Sequence, residues 1–95
     1  MDKMKEMQLL LTKIPRGKVT SYKEIAKKLG IHPRAAGKLL NKNTDGIKYP
    51  CYKVVYSSGG LGGFGGDLKE KIRRLKKDGI EIRNGKIDKK FFIRL

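Results

Sequence analysis

Residues 21–40 read SYKEIAKKLGIHPRAAGKLL, and this stretch decides the fold. Ser21 and Glu24 stand at capping-box spacing: the Ser21 hydroxyl can take the Glu24 amide, while the Glu24 side chain returns to the Ser21 amide. Ile25, Ala26 and Leu29 then form one apolar face, and Gly30 can end that helix in the left-handed conformation. After Ile31 and His32, Pro33 occupies the first-turn position where its missing N–H costs nothing. A second helix follows from Arg34 to Leu40, with Ala35, Ala36 and Gly37 offering a small surface for close approach. Helix, short glycine turn, helix is the DNA-reading helix-turn-helix pattern. Spacing alone leaves open a plain pair of short helices.

Toward the N-terminus, Met4, Met7, Leu10, Leu11 and Ile14 recur at helical spacing behind Asp2, a candidate cap. That helix must stop at Ile14, because a residue before proline avoids helical backbone. Arg16-Gly17-Lys18 reads as a turn and Val19-Thr20 as a short extended entry. Toward the C-terminus, residues 41–48 are polar and loop-like. Val54, Val55 and Tyr56 favour an extended backbone. Residues 57–66 carry six of the chain's 12 glycines and read as a loop. Asp67 and Glu70 signal another helix start, with Leu68, Ile72 and Leu75 as its buried face and Asp78-Gly79 near its end. Ile80, Ile82 and Ile87 flank Asn84-Gly85, a hairpin signal, and Phe91, Phe92 and Ile93 cover the core. The expectation is one domain over residues 1–95, mainly α, a small winged helix-turn-helix-like unit with a short β-hairpin.

Charge is the loudest bulk property. The 95 residues hold 24 Lys+Arg against 9 Asp+Glu, a net +15. That excess points to a polyanionic partner, nucleic acid first, although a merely Lys-rich surface occurs in heat-stable proteins too. One cysteine cannot close an internal disulfide, which suits a reducing compartment. No signal-peptide core and no membrane-length apolar run is present. The reading is a soluble, monomeric intracellular domain without a membrane partner: cytoplasmic, nucleoid-associated, or nuclear in a eukaryote.

That cysteine, Cys51, lies in Tyr49-Pro50-Cys51-Tyr52-Lys53-Val54-Val55. A lone cysteine is most often a small buried hydrophobe. Here a stiff proline precedes it, and Lys53 is near enough to favour a thiolate. The one histidine, His32, is far off in sequence, so a Cys–His pair has little support. One Cys and one His cannot close a zinc site. Residues 60–65 fit G-x-G-x-x-G, but a dinucleotide fingerprint needs a βαβ unit for which this chain has no room. The loop is either plain surface or a glycine backbone closing over a flat ligand, with Phe64 as a wall.

Together these segments resemble the C-terminal domain of the O6-alkylguanine-DNA alkyltransferases, the methylated-DNA–protein-cysteine methyltransferases. The resemblance rests on Ile14-Pro15-x-Gly17-x-Val19-Thr20-Ser21-Tyr22, on Arg34-Ala35-Ala36-Gly37 through Asn43, and on Pro50-Cys51-x-Lys53-Val54-Val55. Ser58-Gly59-x-Leu61-Gly62-Gly63-Phe64-Gly65-Gly66 and the helix from Leu68 to Gly79 complete it, over about residues 10–80. It implies a repair protein that flips O6-alkylguanine from duplex DNA and moves the alkyl group irreversibly to Cys51, once per molecule, without metal or cofactor. It further implies that Arg34 fills the vacated gap and that Ala35, Ala36 and Gly37 press into the minor groove. Tyr22 would turn the phosphate and donate a proton to the guanine. The Val54 carbonyl and Gly65 amide would read the guanine edges, with Phe64 beside them and Lys53 near the substrate. Asn43 would brace the active-site turn.

Three departures stand out. The family's histidine after the cysteine is Tyr52, its helix-end glutamate is Asp78, and its usual N-terminal domain is absent. A phenol with an ordinary pKa of about 10 is no base at neutral pH, and losing a positioned base typically costs about 10²- to 10⁴-fold. The tail, with Gly79-Ile80-Glu81-Ile82 and Asn84-Gly85-Lys86-Ile87-Asp88, is instead similar to the alkyltransferase-like proteins. Those bind alkylguanine without repairing it and pass it to excision-repair proteins, but they lack the cysteine. Three readings therefore stand: alkyl transfer, lesion sensing with an idle thiol, or plain helix-turn-helix binding.

Overall fold

The computed structural model describes residues 2–43, 49–61 and 68–95. Helix α1 spans Lys3–Thr12, with the Asp2 carboxylate accepting the Met4 amide at its start. Strand β1 is Thr20–Ser21, helix α2 Tyr22–Leu29, helix α3 Pro33–Asn41. A 3₁₀ turn over Cys51–Lys53 runs into strand β2, Val54–Val55, and helix α4 covers Leu68–Lys77. Strands β3 (Ile82–Arg83) and β4 (Lys86–Ile87) form the expected hairpin, and a last 3₁₀ turn covers Lys89–Phe91.

The expected helix-turn-helix is present as α2 and α3, packed on each other. Ser21 Oγ accepts the Glu24 amide at 3.0 Å, which is the first half of the capping box. The second half differs: Glu24 Oε2 accepts the amide of Leu95 at 2.9 Å. The carboxylate is therefore used to pin the C-terminal tail to α2. Gly30 ends α2 with φ +69°, a backbone that favours glycine. His32 caps α3, its Nδ1 accepting the Arg34 amide at 3.1 Å; the chain's one imidazole is thereby committed to a helix start.

β1 and β2 pair in parallel, Thr20 opposite Val54 and Ser21 opposite Val55. Adjacent strand residues face opposite ways, and β2 uses this to divide the interior. Val54 joins Met7, Leu11, Ile25, Leu29 and Leu40 in a core under α1–α3. Val55 joins Val19, Leu61, Leu75, Ile80 and Ile87 in a second core under α4 and the hairpin. The tail extends the pairing, since the Val19 amide donates to Phe91 O at 2.8 Å and the Ile93 amide to Val19 O at 3.0 Å.

Helix α4 departs from its expected stripe. Leu75 is buried, but Leu68 is 46% exposed and Lys71 is fully enclosed. The buried face is thus turned one residue round, placing an ammonium where a leucine was expected. That rotation bears directly on the site.

Candidate active site

Cys51 begins a tight turn whose geometry is held from three sides. Its amide donates to Tyr49 O at 2.7 Å, and the Lys53 amide donates to Pro50 O at 3.1 Å. Asn43 Nδ2 donates to the same Tyr49 carbonyl at 2.8 Å, while Asn43 Oδ1 accepts from Gln8 Nε2 at 3.3 Å. A side chain just past the end of α3 thereby ties that helix, the cysteine turn and α1 together. The thiol is free and half-buried.

Lys53 is engaged at the loop after α1 and the end of α4. It is 3% exposed, and its ammonium lies 2.8 Å from Pro15 O and 2.7 Å from Asp78 Oδ2. Asp78 also accepts the Gly17 amide at 2.9 Å. This geometry makes Lys53 a structural tie between the cysteine turn, the loop after α1 and the end of α4. It does not fit the substrate contact that the sequence suggested.

A second enclosed cation, Lys71, lies beside the end of the cysteine turn. Its Nζ donates to Val54 O at 2.7 Å and lies 3.5 Å from the Tyr22 hydroxyl and 5.6 Å from that ring's centre. Burial pushes this ammonium down to about 8, opposed by the negative charge available at Cys51. A cation beside a thiol is the arrangement that nucleophilic cysteines use. Sequence reasoning missed Lys71 because a lysine within an apolar helix pattern reads as solvated surface. Only the rotation of α4 reveals it.

Tyr22 opens α2 directly after the β1 strand. Burial first, then Tyr56 and Cys51, pushes its phenol up to about 12. It therefore remains a proton donor throughout the neutral range. Its ring lies 5.3 Å from that of Tyr56, inclined by 48°. Tyr52 lies under the Arg74 guanidinium, 5.9 Å from ring centre to charge. Burial first, then Asp78, raises its phenol, while Arg74 and Arg16 oppose. Tyr52 is thus held protonated and cannot take a proton at neutral pH.

In front of Tyr22 is a cavity of about 610 Å³, walled by α3 through Pro33, Arg34, Gly37 and Asn41 and by Tyr56 and Ser57 opposite. Arg34 is exposed and Ala35 half-buried. Open space stands over Gly37, where an added Cβ would meet nothing within 4 Å. Ala36 is the exception among the small residues: it is fully buried in the core, so it packs α3 down and cannot face DNA. Helical periodicity accounts for this, because consecutive residues cannot share a face. Phe64 and Gly65, expected at the guanine edge, lie outside the described residues.

The family model for the DNA-binding domain of 6-O-methylguanine DNA methyltransferase matches residues 3–80. A bifunctional methyltransferase/endonuclease of Picrophilus torridus is 52% identical over 83 residues, covering 85% of this chain and 28% of that protein. The chain spans less than half the length of the curated relatives it matches. Among solved structures, the O6-methylguanine-DNA methyltransferase of Pyrococcus kodakaraensis superposes with a TM-score of 0.77 at 32% identity, over 84% of this chain and 47% of that one. The Schizosaccharomyces pombe protein Atl1, solved with damaged DNA containing O6-carboxymethylguanine, gives a TM-score of 0.86 over 98% and 95% of the two chains. At 21% identity, that likeness speaks for the fold.

Proposed function

Because the chain belongs to the family of 6-O-methylguanine DNA methyltransferase DNA-binding domains, we propose that it takes an alkyl group from O6-alkylguanine in duplex DNA onto Cys51. The observation that carries this reading is the grouping of the free Cys51 thiol with the Lys71 ammonium, which bonds Val54 O at the end of the cysteine turn at 2.7 Å and lies 3.5 Å from the Tyr22 hydroxyl. The Cys51 thiolate attacks the alkyl carbon, a C–S bond forms, and the C–O6 bond breaks. The Tyr22 phenol supplies a proton to the guanine ring as negative charge develops there. The Lys71 ammonium, 3.5 Å from that hydroxyl, offsets the charge left on oxygen.

Binding comes before chemistry. Arg34 stands exposed on α3, where it can take the place of a base withdrawn from the stack. Ala35 and Gly37 let α3 approach a groove closely. The Val54 carbonyl, although it accepts from Lys71, keeps a second lone pair for a guanine edge. Asn43 is a positioning residue that acts through Tyr49 O on the cysteine turn. Asp78 and Lys53 hold that turn's far side. The similarity to a relative that is named both methyltransferase and endonuclease supports a repair setting, with DNA as the partner.

One observation favours a second reading. Tyr52 replaces the residue that would serve as base, and its phenol is held protonated. A chain in which Cys51 stays idle would recognise the lesion and leave removal to excision-repair proteins.

Intact-protein mass spectrometry after mixing with a duplex containing one O6-methylguanine decides between them. Transfer predicts a gain of one methyl that Cys51→Ala abolishes. Lesion-selective binding with no gain, retained in Cys51→Ala, would establish the sensor.

A further inference from the structure

Tyr56 is 54% exposed, while the next residue back, Val55, is fully buried. Among the described residues two other large apolar side chains are similarly exposed, Leu9 and Leu68, and neither lines the cavity before Tyr22. Tyr56 does line it. Its ring leans on that of Tyr22 with centres 5.3 Å apart and planes inclined by 48°, so the ring is supported on one side while more than half of the residue stays open to solvent. The backbone beneath is rigid: the Tyr56 amide donates to Gly60 O at 2.8 Å, and Gly59 returns a bond to Tyr56 O at 2.9 Å. A Cβ at Gly60 would lie 3.3 Å from the Tyr56 ring, so the ring lies close over bare backbone.

Arg34 lines the same cavity. Two tilted rings and a guanidinium around one space suit a flat, electron-rich ring joined to an anion, and a nucleotide is that. At about 610 Å³ the space falls within the roughly 300–1,000 Å³ range of small-ligand sites.

We infer that Tyr56 is a specificity-determining residue that stacks on a nucleobase displaced from the duplex, forming with Tyr22 a two-ring platform at the threshold of the Cys51 site. The inference rests on the functional reading above and adds to it a contact outside the reacting atoms. Tyr56 holds the unpaired base while Arg34 occupies its place in the stack. Part of the lesion preference thus comes from how readily a weakened base pair surrenders its base to this platform.

The chain contains no tryptophan, so Tyr56→Trp installs one fluorophore at the proposed contact. Stacking predicts that this fluorescence is quenched by a duplex containing one O6-methylguanine and by a single-stranded oligonucleotide, and much less by an undamaged duplex. Tyr56→Ala should weaken binding of the first two ligands by about 5- to 100-fold and leave the undamaged duplex within about twofold. Tyr56→Phe should behave as the parent and Tyr56→Leu as the alanine variant. Equal performance of Phe and Leu would overturn stacking, as would an unchanged Tyr56→Ala or an unquenched tryptophan. If the parent chain fails to prefer the lesion at all, the functional reading falls, and the single-strand comparison still decides the fate of the Tyr56 proposal. Circular dichroism of each variant guards against misfolding, with Tyr56→Phe as the conservative reference.

Discussion

The Lys53 ammonium and the Asp78 carboxylate meet at 2.7 Å with only 4% and 14% of their side chains exposed, joining the cysteine turn to the end of α4. An ion pair so enclosed is costly to break from one side, because the remaining charge stays buried without its counter-charge.

Asp78→Ala should therefore lower unfolding stability by about 3 kcal/mol, and Lys53→Ala by a similar amount. The double variant should recover part of the loss, since neither charge is then stranded. Urea denaturation of the four chains measures the coupling. Additive losses would mean that the pair is not the tie described here.

Lys71 sets a pH dependence of stability. Its pKa is about 8 in the fold and about 10.4 in an unfolded chain. Between those values the unfolded chain holds a proton that the folded one has released, so stability rises with pH across that window. Below about pH 8 the cost of burying the charge is fully present. Melting temperatures compared between the parent and Lys71→Met from pH 7 to 10 should show the excess slope in the parent alone.

Tyr22→Phe keeps the ring contact with Tyr56 and removes the proton donor. Single-turnover methyl transfer should slow by about 100-fold, at the lower end for a lost general acid, while lesion binding changes less than about threefold. An equal loss in both would assign Tyr22 to binding alone.

Tyr52→His restores a titratable base beside the thiol, and transfer at neutral pH should quicken. The gain should be near tenfold and short of the full 10²- to 10⁴-fold range. The carboxylate that would orient the imidazole is already bonded to Lys53 and the Gly17 amide. Rates from rapid-quench mass spectrometry test this, and a decrease would show that Tyr52 contributes something the phenol alone supplies.

Gly59 has φ +96°, and a Cβ there would fall 2.6 Å from the Ile87 carbonyl oxygen. Gly59→Ala should cost about 2–3 kcal/mol or more and loosen the hairpin, to which Gly59 O is bonded through the Ile87 amide at 2.9 Å. Hydrogen exchange at Ile87 is the local readout.

Much of this architecture was legible in the residues. Caps and breakers write themselves into sequence, so Asp2, Ser21, Gly30 and Pro33 placed the helix ends correctly, and Asn84-Gly85 placed the hairpin. The family resemblance pointed to Asn43 beside the cysteine turn, and its side chain bonds Tyr49 O there. What sequence hid was side-chain allegiance over long separations. Glu24 bonds to Leu95 rather than to its own helix start, Lys53 faces Asp78, and Lys71 is drawn inside where Leu68 was expected. Each depends on how a helix is rotated against a distant partner, and local periodicity carries no record of that. Ala36 taught the same lesson in reverse, since a run of small residues looked like one surface and was divided between the core and the outer side of α3.

The parallel pairing of Thr20–Ser21 with Val54–Val55 also has a consequence in time. It joins segments 34 positions apart, so it must await closure of a long loop, whereas α1, α2 and α3 can form from neighbours alone. The helix-turn-helix can therefore exist before the segment that carries Cys51 is anchored. On the function proposed above, a chain caught midway through folding would hold DNA through its charge and yet be chemically inert. Docking of β2 is what arms it.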